Sequence, residues 1–396
     1  MSAVKMPWAS SQDGWSDDET WAEFGDVVRA ASGTLTHFEE TGFGTDFWKE
    51  VVGLGWHSAF VAEEFGGLGL DPRAMAEIVA PLAVSGWSHA FLGTAVDAVA
   101  LLQSVRSRRG DLLLAEVTAG SLRLQPALAE SAEAPHPAEV RTRAERRPSG
   151  WVINGRKALV PYAEAAGGFV VLAAEAESGD RALFYVPADS AGVTRASQDS
   201  LGLPLADVVL EDVAVADDAR LASGEAVERA LESLLDLEVA LDAVALVGIG
   251  FQALGLTLQY TSERIVFDKP LDTLQAVQQH CATAFLRLEQ ARVLARDALV
   301  PRTDPVERAW ASSIAKVKAG EGIIEVMRIA HRVHGGIGFY DDYPLAAQTR
   351  RAVTIQGLHG SVAWHRRRLQ DLLLDSTYPL DRTVLSSASP LGGGAR

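Results

Sequence analysis

The sequence predicts an α+β fold, mostly α: a helical N-terminal domain, a central antiparallel β-barrel or sandwich, and a C-terminal four-helix bundle. Three observations predict it. Apolar residues recur at helical spacing up to about residue 120. Between Arg123 and Val215 the chain changes to short β-rich runs parted by turn residues. From Glu225 to Leu374 four long helical segments follow with short connections. The expected units are therefore 1–120, 121–218 and 219–376, with 377–396 a Ser/Gly-rich tail expected to be disordered.

In chain order, Ser16-Asp17-Asp18-Glu19 has the form of a capping box and predicts a helix running toward Ser32. Asp46 to Leu54 is a second helix. Glu63-Glu64-Phe65-Gly66-Gly67-Leu68-Gly69-Leu70 is a loop, because three glycines do not sit economically in a helix. Helical periodicity resumes over Arg73–Ser85, Ala90–Val105 and Asp111–Thr118. Strands are expected at Trp151–Ile153, Phe169–Ala173, Ala182–Val186, Gly192–Arg195 and Asp207–Val215, with Asn154-Gly155 as a two-residue hairpin turn. The long helical segments are Glu225–Thr261, Leu271–Leu299, Asp304–Val333 and Leu345–Leu374, the last with breaks. No Gly-x-Gly-x-x-Gly follows a strand, so the Rossmann fingerprint is absent.

Composition narrows the function. Hydrophobic residues make up 48% of the 396 and charged ones 22%, a globular balance. With 52 acids against 36 bases and a net charge of −16, the chain has no general attraction for a phosphate backbone, so no nucleic-acid partner is expected. The single cysteine, Cys281, excludes an intrachain disulfide and suits a reducing, cytoplasmic location. Cys281 itself is expected to be a small buried side chain. Met1 to Trp21 has no apolar core and does not read as a signal peptide. The longest apolar run, Ala243–Leu258, is interrupted by Gln252 and Thr257 and carries three glycines, so it is read as a helix buried in the bundle rather than a membrane span.

The most informative stretch is Tyr260 to Gln279. Tyr260, Arg264 and Phe267 recur at spacings that one helix face would align, where Arg264 can hold a phosphate bidentately beside an aromatic plate. Pro270 stops that helix and a second apolar segment opens with Leu274, Gln275, Val277 and Gln278. An ordinary amphipathic helix with Arg264 reaching to water remains the alternative. The pattern resembles the flavin-binding hairpin of the acyl-CoA dehydrogenase family. The resemblance implies that Arg264 meets the FAD pyrophosphate, Phe267 stacks near the adenine and Gln275 bonds to the cofactor. Asp268 departs from the family, which has Gly there.

Three further stretches carry the same resemblance. The Glu63–Leu70 loop is similar to the family's Pro-Glu-Glu-Tyr-Gly-Gly-x-Gly loop, with Ala62 in place of Pro, and is assigned to structure. The phrase from Gly150 to Ala173 resembles the strand pair bordering the flavin ring, which implies that Val160, Pro161 and Tyr162 lie at the isoalloxazine. For Lys157 and Tyr162 a solvated strand and a half-buried ring stay open as readings. Upstream, where the family has Thr-Glu-Pro, Ala129-Glu130-Ser131 keeps only the acid. RIAHRVHGGIGF, Arg328–Phe339, resembles the family's Gln-x-His-Gly-Gly-x-Gly loop. Gly335 and Gly336 then admit a ligand close to the backbone, and Arg332 replaces the Gln; a glycine helix cap is the alternative.

The family's chemistry needs a base for the α-proton. The usual Tyr-Glu-Gly-Thr falls on Leu358-His359-Gly360-Ser361, so the Glu position is His359. A branch of the family carries its Glu on the helix before the hairpin, and that position is Glu238. Glu238 is either a base activated by desolvation or one of a solvated acidic face with Glu232 and Asp236; His359 is either a base, a donor to the thioester oxygen, or a surface residue. The implied activity is FAD-dependent α,β-dehydrogenation of an acyl-CoA or other acyl thioester in lipid metabolism. The implied assembly is a homotetramer, or a heterotetramer with a related subunit, passing electrons to an electron-transfer flavoprotein or other acceptor. A non-catalytic, FAD-site-completing subunit and a flavin monooxygenase or other thioester-modifying enzyme on the same fold are the alternatives.

Overall fold

The computed structural model describes residue 28 and residues 45–131, 140–198, 200 and 202–374. The expected helix from Ser16 toward Ser32 and the tail from Ser386 to Arg396 lie outside these residues. The N-terminal helices are α1 (Thr45–Gly53), α2 (Pro72–Ser85), α3 (Ser88–Leu92), α4 (Val99–Val105) and α5 (Arg108–Thr118). Asp71 caps α2, its carboxylate accepting from Arg73 and Ala74 backbone N–H groups, with Pro72 at the first helical position. The expected Ala90–Val105 helix is continuous in direction but changes winding: Gly93–Ala98 is a π turn between α3 and α4.

The central unit is one eight-stranded sheet with β1 (Leu124–Ala127), β2 (Arg143–Arg147), β3 (Gly150–Pro161), β4 (Gly168–Glu175), β5 (Arg181–Pro187), β6 (Val193–Gln198), β7 (Leu205–Val215) and β8 (Arg220–Ser223). The order is β6-β7-β3-β2-β4-β5-β8, with β1 paired to β4. Every expected strand is present. Most pairs are antiparallel, but β1·β4 and β2·β4 are parallel, so the sheet is mixed. The Asn154-Gly155 turn is wrong: both residues lie inside β3, and the chain reverses instead between Arg147 and Gly150. Gly155 sits at a register shift against β7 with φ +154, and a Cβ there would meet Thr142 Oγ1 at 2.5 Å. The glycine therefore marks a bulge and a close approach.

The sheet also corrects the reading of Lys157 as a solvated strand residue. Lys157 is fully buried and donates to Glu130 Oε1 (2.8 Å) and the Leu128 carbonyl (3.2 Å). Burial lowers its pKa to about 8, and Glu130 holds the ammonium. Burial alone would raise Glu130; hydrogen bonds from Lys157 and Thr142 reverse this and bring it to about 2. The acid retained at this position is thus the counter-ion of a buried lysine.

The C-terminal helices are α6 (Glu225–Glu263), α7 (Gln275–Ala298), α8 (Pro305–His334), α9 (Pro344–Gly357) and α10 (Val362–Leu374). The fourth expected segment is broken in two at Leu358–Ser361. Helix α6 is 39 residues long, and 89% of its most apolar 18-residue window is buried, so its hydrophobicity is spent on the bundle. One hydrophobic core runs from Phe47 and Trp56 through α2 and α6 to Ile355, and a second fills the inner face of the sheet around Phe169, Phe184 and Val208. Cys281 is half-buried against the first core rather than enclosed.

The helix expected to carry Tyr260, Arg264 and Phe267 on one face ends at Glu263. Arg264 is already extended (φ −77, ψ 114), and β9 (Ile265–Val266) pairs with β10 (Lys269–Pro270) in a two-stranded ribbon. Phe267 and Asp268 form its turn, both with positive φ (53 and 61). Such a turn needs the left-handed region at both central positions, where Gly or Asp is tolerated far better than a bulky residue. That is the reason a glycine is at home at 268, and Asp268 is the next best choice.

Replacing Lys157 by Met should cost about 2 kcal/mol, because it takes the ammonium from a part-buried carboxylate, read as a lower urea midpoint. Independently, stability should fall as pH drops from about 4.5 toward 2: Glu130 has a folded pKa of about 2, below its ordinary value, so the contribution present above pH 4.5 is lost as it protonates.

Candidate active site

At the middle of the bundle, α6 presents Glu238 and Asp242 one turn apart, both buried. Asp242 is the hub. Its Oδ1 accepts from His89 Nε2 (3.0 Å), and its Oδ2 accepts from Lys316 Nζ (2.6 Å) and His359 Nδ1 (3.0 Å). The donors come from α3, α8 and the α9–α10 loop. Burial would raise the Asp242 carboxyl, but Lys316, His359 and His89 together hold it well below the usual carboxylate range. His89, Asp242 and His359 have a spacing that could hold a metal ion. The Lys316 ammonium on Asp242 already supplies the positive charge, and a second cation beside it would be repelled.

His359 is the residue that the structure turns into a partner of Glu238. Its Nδ1–H is committed to Asp242, leaving Nε2 3.7 Å from Glu238 Oε1. That separation is an ion pair but too long for a hydrogen bond, so an oxygen placed alongside can still take the N–H. Burial lowers the imidazole pKa; the Glu238 and Asp242 carboxylates overcome it and raise it to about 9. Burial, with Asp242 adding to it, raises Glu238 to about 7 against the pull of His359 and Lys316. The two competing bases are thus neighbours with different duties. At neutral pH His359 is an imidazolium donor, and Glu238 is the group poised to take a proton. The reading of Glu238 on a solvated face with Glu232 and Asp236 fails: only Glu232 is exposed, and Asp236 is buried against Ser312 and Arg368.

The loop that carries His359 is built to hold it. His359 has φ +51 and Gly360 φ +100. Lys316 Nζ also donates to the Ile355 and Leu358 carbonyls, both at 2.9 Å, capping the end of α9. His365, fully buried, donates from Nε2 to the His359 carbonyl (3.0 Å) and accepts from Ser313 at Nδ1 (3.1 Å). Burial pushes His365 down to about 3, so it stays neutral and keeps both bonds. Near these groups lies Asp97, in the π turn, 6% exposed, with its pKa raised well above normal by burial and then by Glu238.

The positions assigned to the flavin lie elsewhere. Arg264, Phe267, Gln275, Arg332, Gly335 and Gly336 are all exposed, Phe267 at 85%. The two motifs meet at one end of the bundle, where the Tyr260 ring stacks on His334 with centroids 4.6 Å apart. A Cβ at Gly335 or Gly336 would meet nothing within 4 Å, so this corner is open to a ligand, and Gly335 has φ +63. Val160 and Tyr162 are buried; the Tyr162 hydroxyl donates to the Gly86 carbonyl (2.5 Å), and Tyr162 lines a cavity of about 210 Å³ with Ser197, Gln198 and Leu203. The half-buried reading of Tyr162 is therefore also corrected. A larger cavity of about 340 Å³ lies beside α6, lined by Ala100, Gln103, Leu237, Arg302 and Arg308 among others.

His89, Asp97, Asp242 and Lys316 were not singled out from sequence as site residues. The signal for one of them was present: Asp242 lies four residues after Glu238 at the start of a long apolar run, so the two share a helix face. By NMR, the His359 imidazole should titrate near pH 9, and Glu238→Gln should lower that value by about one unit, since it removes one of the two carboxylates that favour the charged form.

Comparison with known proteins places these features. Residues 126–213 match the model of the acyl-CoA dehydrogenase middle domain, and residues 227–374 match that of the acyl-CoA dehydrogenase C-terminal domain. The chain is 26% identical over 322 residues to the acyl-CoA dehydrogenase FadE12 of Mycobacterium tuberculosis, covering 78% of this chain and 82% of that one. Its fold is similar to butyryl-CoA dehydrogenase from Megasphaera elsdenii (TM-score 0.81, 22% identity, 90% and 98% of the two chains). It is likewise similar in fold to the ChsE4-ChsE5 complex from Mycobacterium tuberculosis (TM-score 0.78, 22% identity, 92% and 100%). With both of these domains matched in order across more than half of its length, the chain belongs to the acyl-CoA dehydrogenase family.

Proposed function

We propose that the protein catalyses FAD-dependent α,β-dehydrogenation of an acyl thioester, with Glu238 taking the α-proton. The observation that carries this is the meeting of buried Glu238 with His359 at 3.7 Å: burial raises the carboxyl to about 7, and a fixed cation stands beside it. FAD, when bound, accepts the hydride that leaves the β-carbon. Arg264, with Phe267 and Gln275 on the same ribbon and helix, would hold the pyrophosphate end of the FAD that serves a neighbouring copy, and the open corner at Gly335 and Gly336 with Arg332 would meet that cofactor from another side. Val160 and Tyr162 would contribute through the backbone at the end of β3, since their side chains are buried.

The chain's own groups divide the work. His359, held by Asp242, offers Nε2–H to the thioester oxygen, where negative charge grows as the α-proton departs. Glu238 receives that proton in a setting where water is scarce. The 340 Å³ cavity runs past Leu237, with Arg302, paired to Asp297, and Arg308, beside Asp236, in its wall. Electrons would then pass to an electron-transfer flavoprotein or other acceptor, and a cytoplasmic setting is part of the same proposal. A second reading, a cofactor-completing subunit of a mixed tetramer, is favoured by one observation: His359 stands where the family has its usual Glu.

The purified chain loaded with FAD should bleach on mixing with an acyl-CoA, and Glu238→Gln should slow this by on the order of a thousandfold while FAD stays bound. The pH profile should be bell-shaped. Activity rises through about pH 7 as Glu238 loses its proton and falls through about pH 9 as His359 loses its own. Absence of bleaching until a related subunit is added would favour the second reading.

A further inference from the structure

We propose that Asp97 is a specificity residue that recognises a hydroxyl group on the acyl chain, so that the preferred substrate is a hydroxylated acyl thioester rather than a plain alkanoyl one. This rests on the reading of Glu238 as the base, because that reading puts the α-carbon beside the cluster. Three carboxyls gather there, Asp97, Glu238 and Asp242, against the cations Lys316 and His359. Asp242 is satisfied by three N–H donors, and Glu238 faces His359. His89, lowered by burial, stays neutral and is spent between Ser88 and Asp242. Asp97 alone is left with no cation of its own. It is 6% exposed, and its Oδ1 has no hydrogen-bond partner among the described residues.

The backbone carries Asp97 into this place. The π turn Gly93–Ala98 interrupts the otherwise α-helical run from Ser88 to Val105, a winding often found at functional positions. Thr94, in the same turn, ties it down by donating to the Leu124 carbonyl (2.9 Å). Burial, and then the nearby Glu238 charge, push the Asp97 carboxyl well above its ordinary range. A carboxyl oxygen such as the unpartnered Oδ1 accepts a hydrogen bond. A hydroxyl group supplies that donor, whereas an alkyl chain would leave Oδ1 unmet. Ala100, three residues further along the same helical run, lines the 340 Å³ cavity.

The test titrates the FAD-loaded protein with hexanoyl-CoA and its γ-, δ- and ε-hydroxy derivatives, measuring Kd by calorimetry and flavin bleaching in parallel. Wild type should bind one hydroxy isomer at least about tenfold more tightly than hexanoyl-CoA. Asp97→Leu should bind that isomer and hexanoyl-CoA alike, and Asp97→Asn should keep part of the preference. Equal binding of all four thioesters by wild type overturns the proposal, as does a preference undiminished in Asp97→Leu. If Asp97→Leu does not fold, wild-type discrimination and the Asp97→Asn comparison decide. Selective binding without bleaching would defeat the dehydrogenase reading and leave the specificity role standing; bleaching with no selectivity would do the reverse.

Discussion

The site depends on one buried carboxylate. Asp242 has no exposed surface and is ionised only because three N–H groups from three separate segments converge on it. Removing a charged carboxylate from water costs several kcal/mol before any compensation. The structure meets that cost with an ammonium, an imidazolium and a neutral imidazole at 2.6–3.0 Å. Because these donors come from α3, α8 and the loop before α10, the carboxylate also fixes how the N-terminal helices, the bundle and that loop are aligned. The same bond that ties the loop down selects the nitrogen that His359 turns toward Glu238.

The sequence carried the fold far better than the site. Long apolar periodicity located the bundle helices to within a few residues, since packing of an amphipathic or wholly buried helix leaves a dense local signal. Short-range turn chemistry was less dependable. Asn154-Gly155 has the composition of a tight turn, yet the sheet runs straight through it because a neighbouring strand and Thr142 need the room. Tyr260 to Phe267 has helical spacing, but the ribbon at Phe267 and Asp268 overrides it. Glu238 and His359 were both legible as candidates, though as rivals, because spacing along the chain says nothing about two residues 121 positions apart. Asp97, His89 and Lys316 were not legible: none belongs to a motif, and only the three-dimensional meeting gives each its meaning.

Burial also explains why the same residue type has opposite character at different places. Lys157 and Lys316 are both fully enclosed, but each is matched by a carboxylate and by backbone carbonyls, so both serve the fold as clamps. Glu130 is pulled down to about 2 by its lysine, whereas Glu238, whose cation is shared with Asp242, is left near 7. The distinction between a structural acid and a proton acceptor is therefore a matter of how many donors reach it. Asp97 extends the series: buried and without an ion pair of its own among the described residues, it is pushed well above the ordinary carboxylate range.

Helix α6 links the two halves of the function and imposes a geometric constraint on them. Glu238 and Arg264 are 26 residues apart, and the helix is unbroken from Glu225 to Glu263, so they are separated by roughly 39 Å at about 1.5 Å per residue. A flavin dinucleotide is too short to place its ring beside Glu238 and its pyrophosphate on the Arg264 of the same chain. If both residues serve a flavin, they serve different copies, and each cofactor is completed by a second polypeptide. The exposure of Phe267, Phe339 and Tyr340, large aromatic surfaces around the ribbon and the glycine corner, fits a face that another subunit covers. On this geometry a mixed assembly costs the fold nothing new: a chain can lend its ribbon to a neighbour's flavin whether or not its own Glu238 meets a substrate, because the two ends of α6 are mechanically continuous but chemically independent.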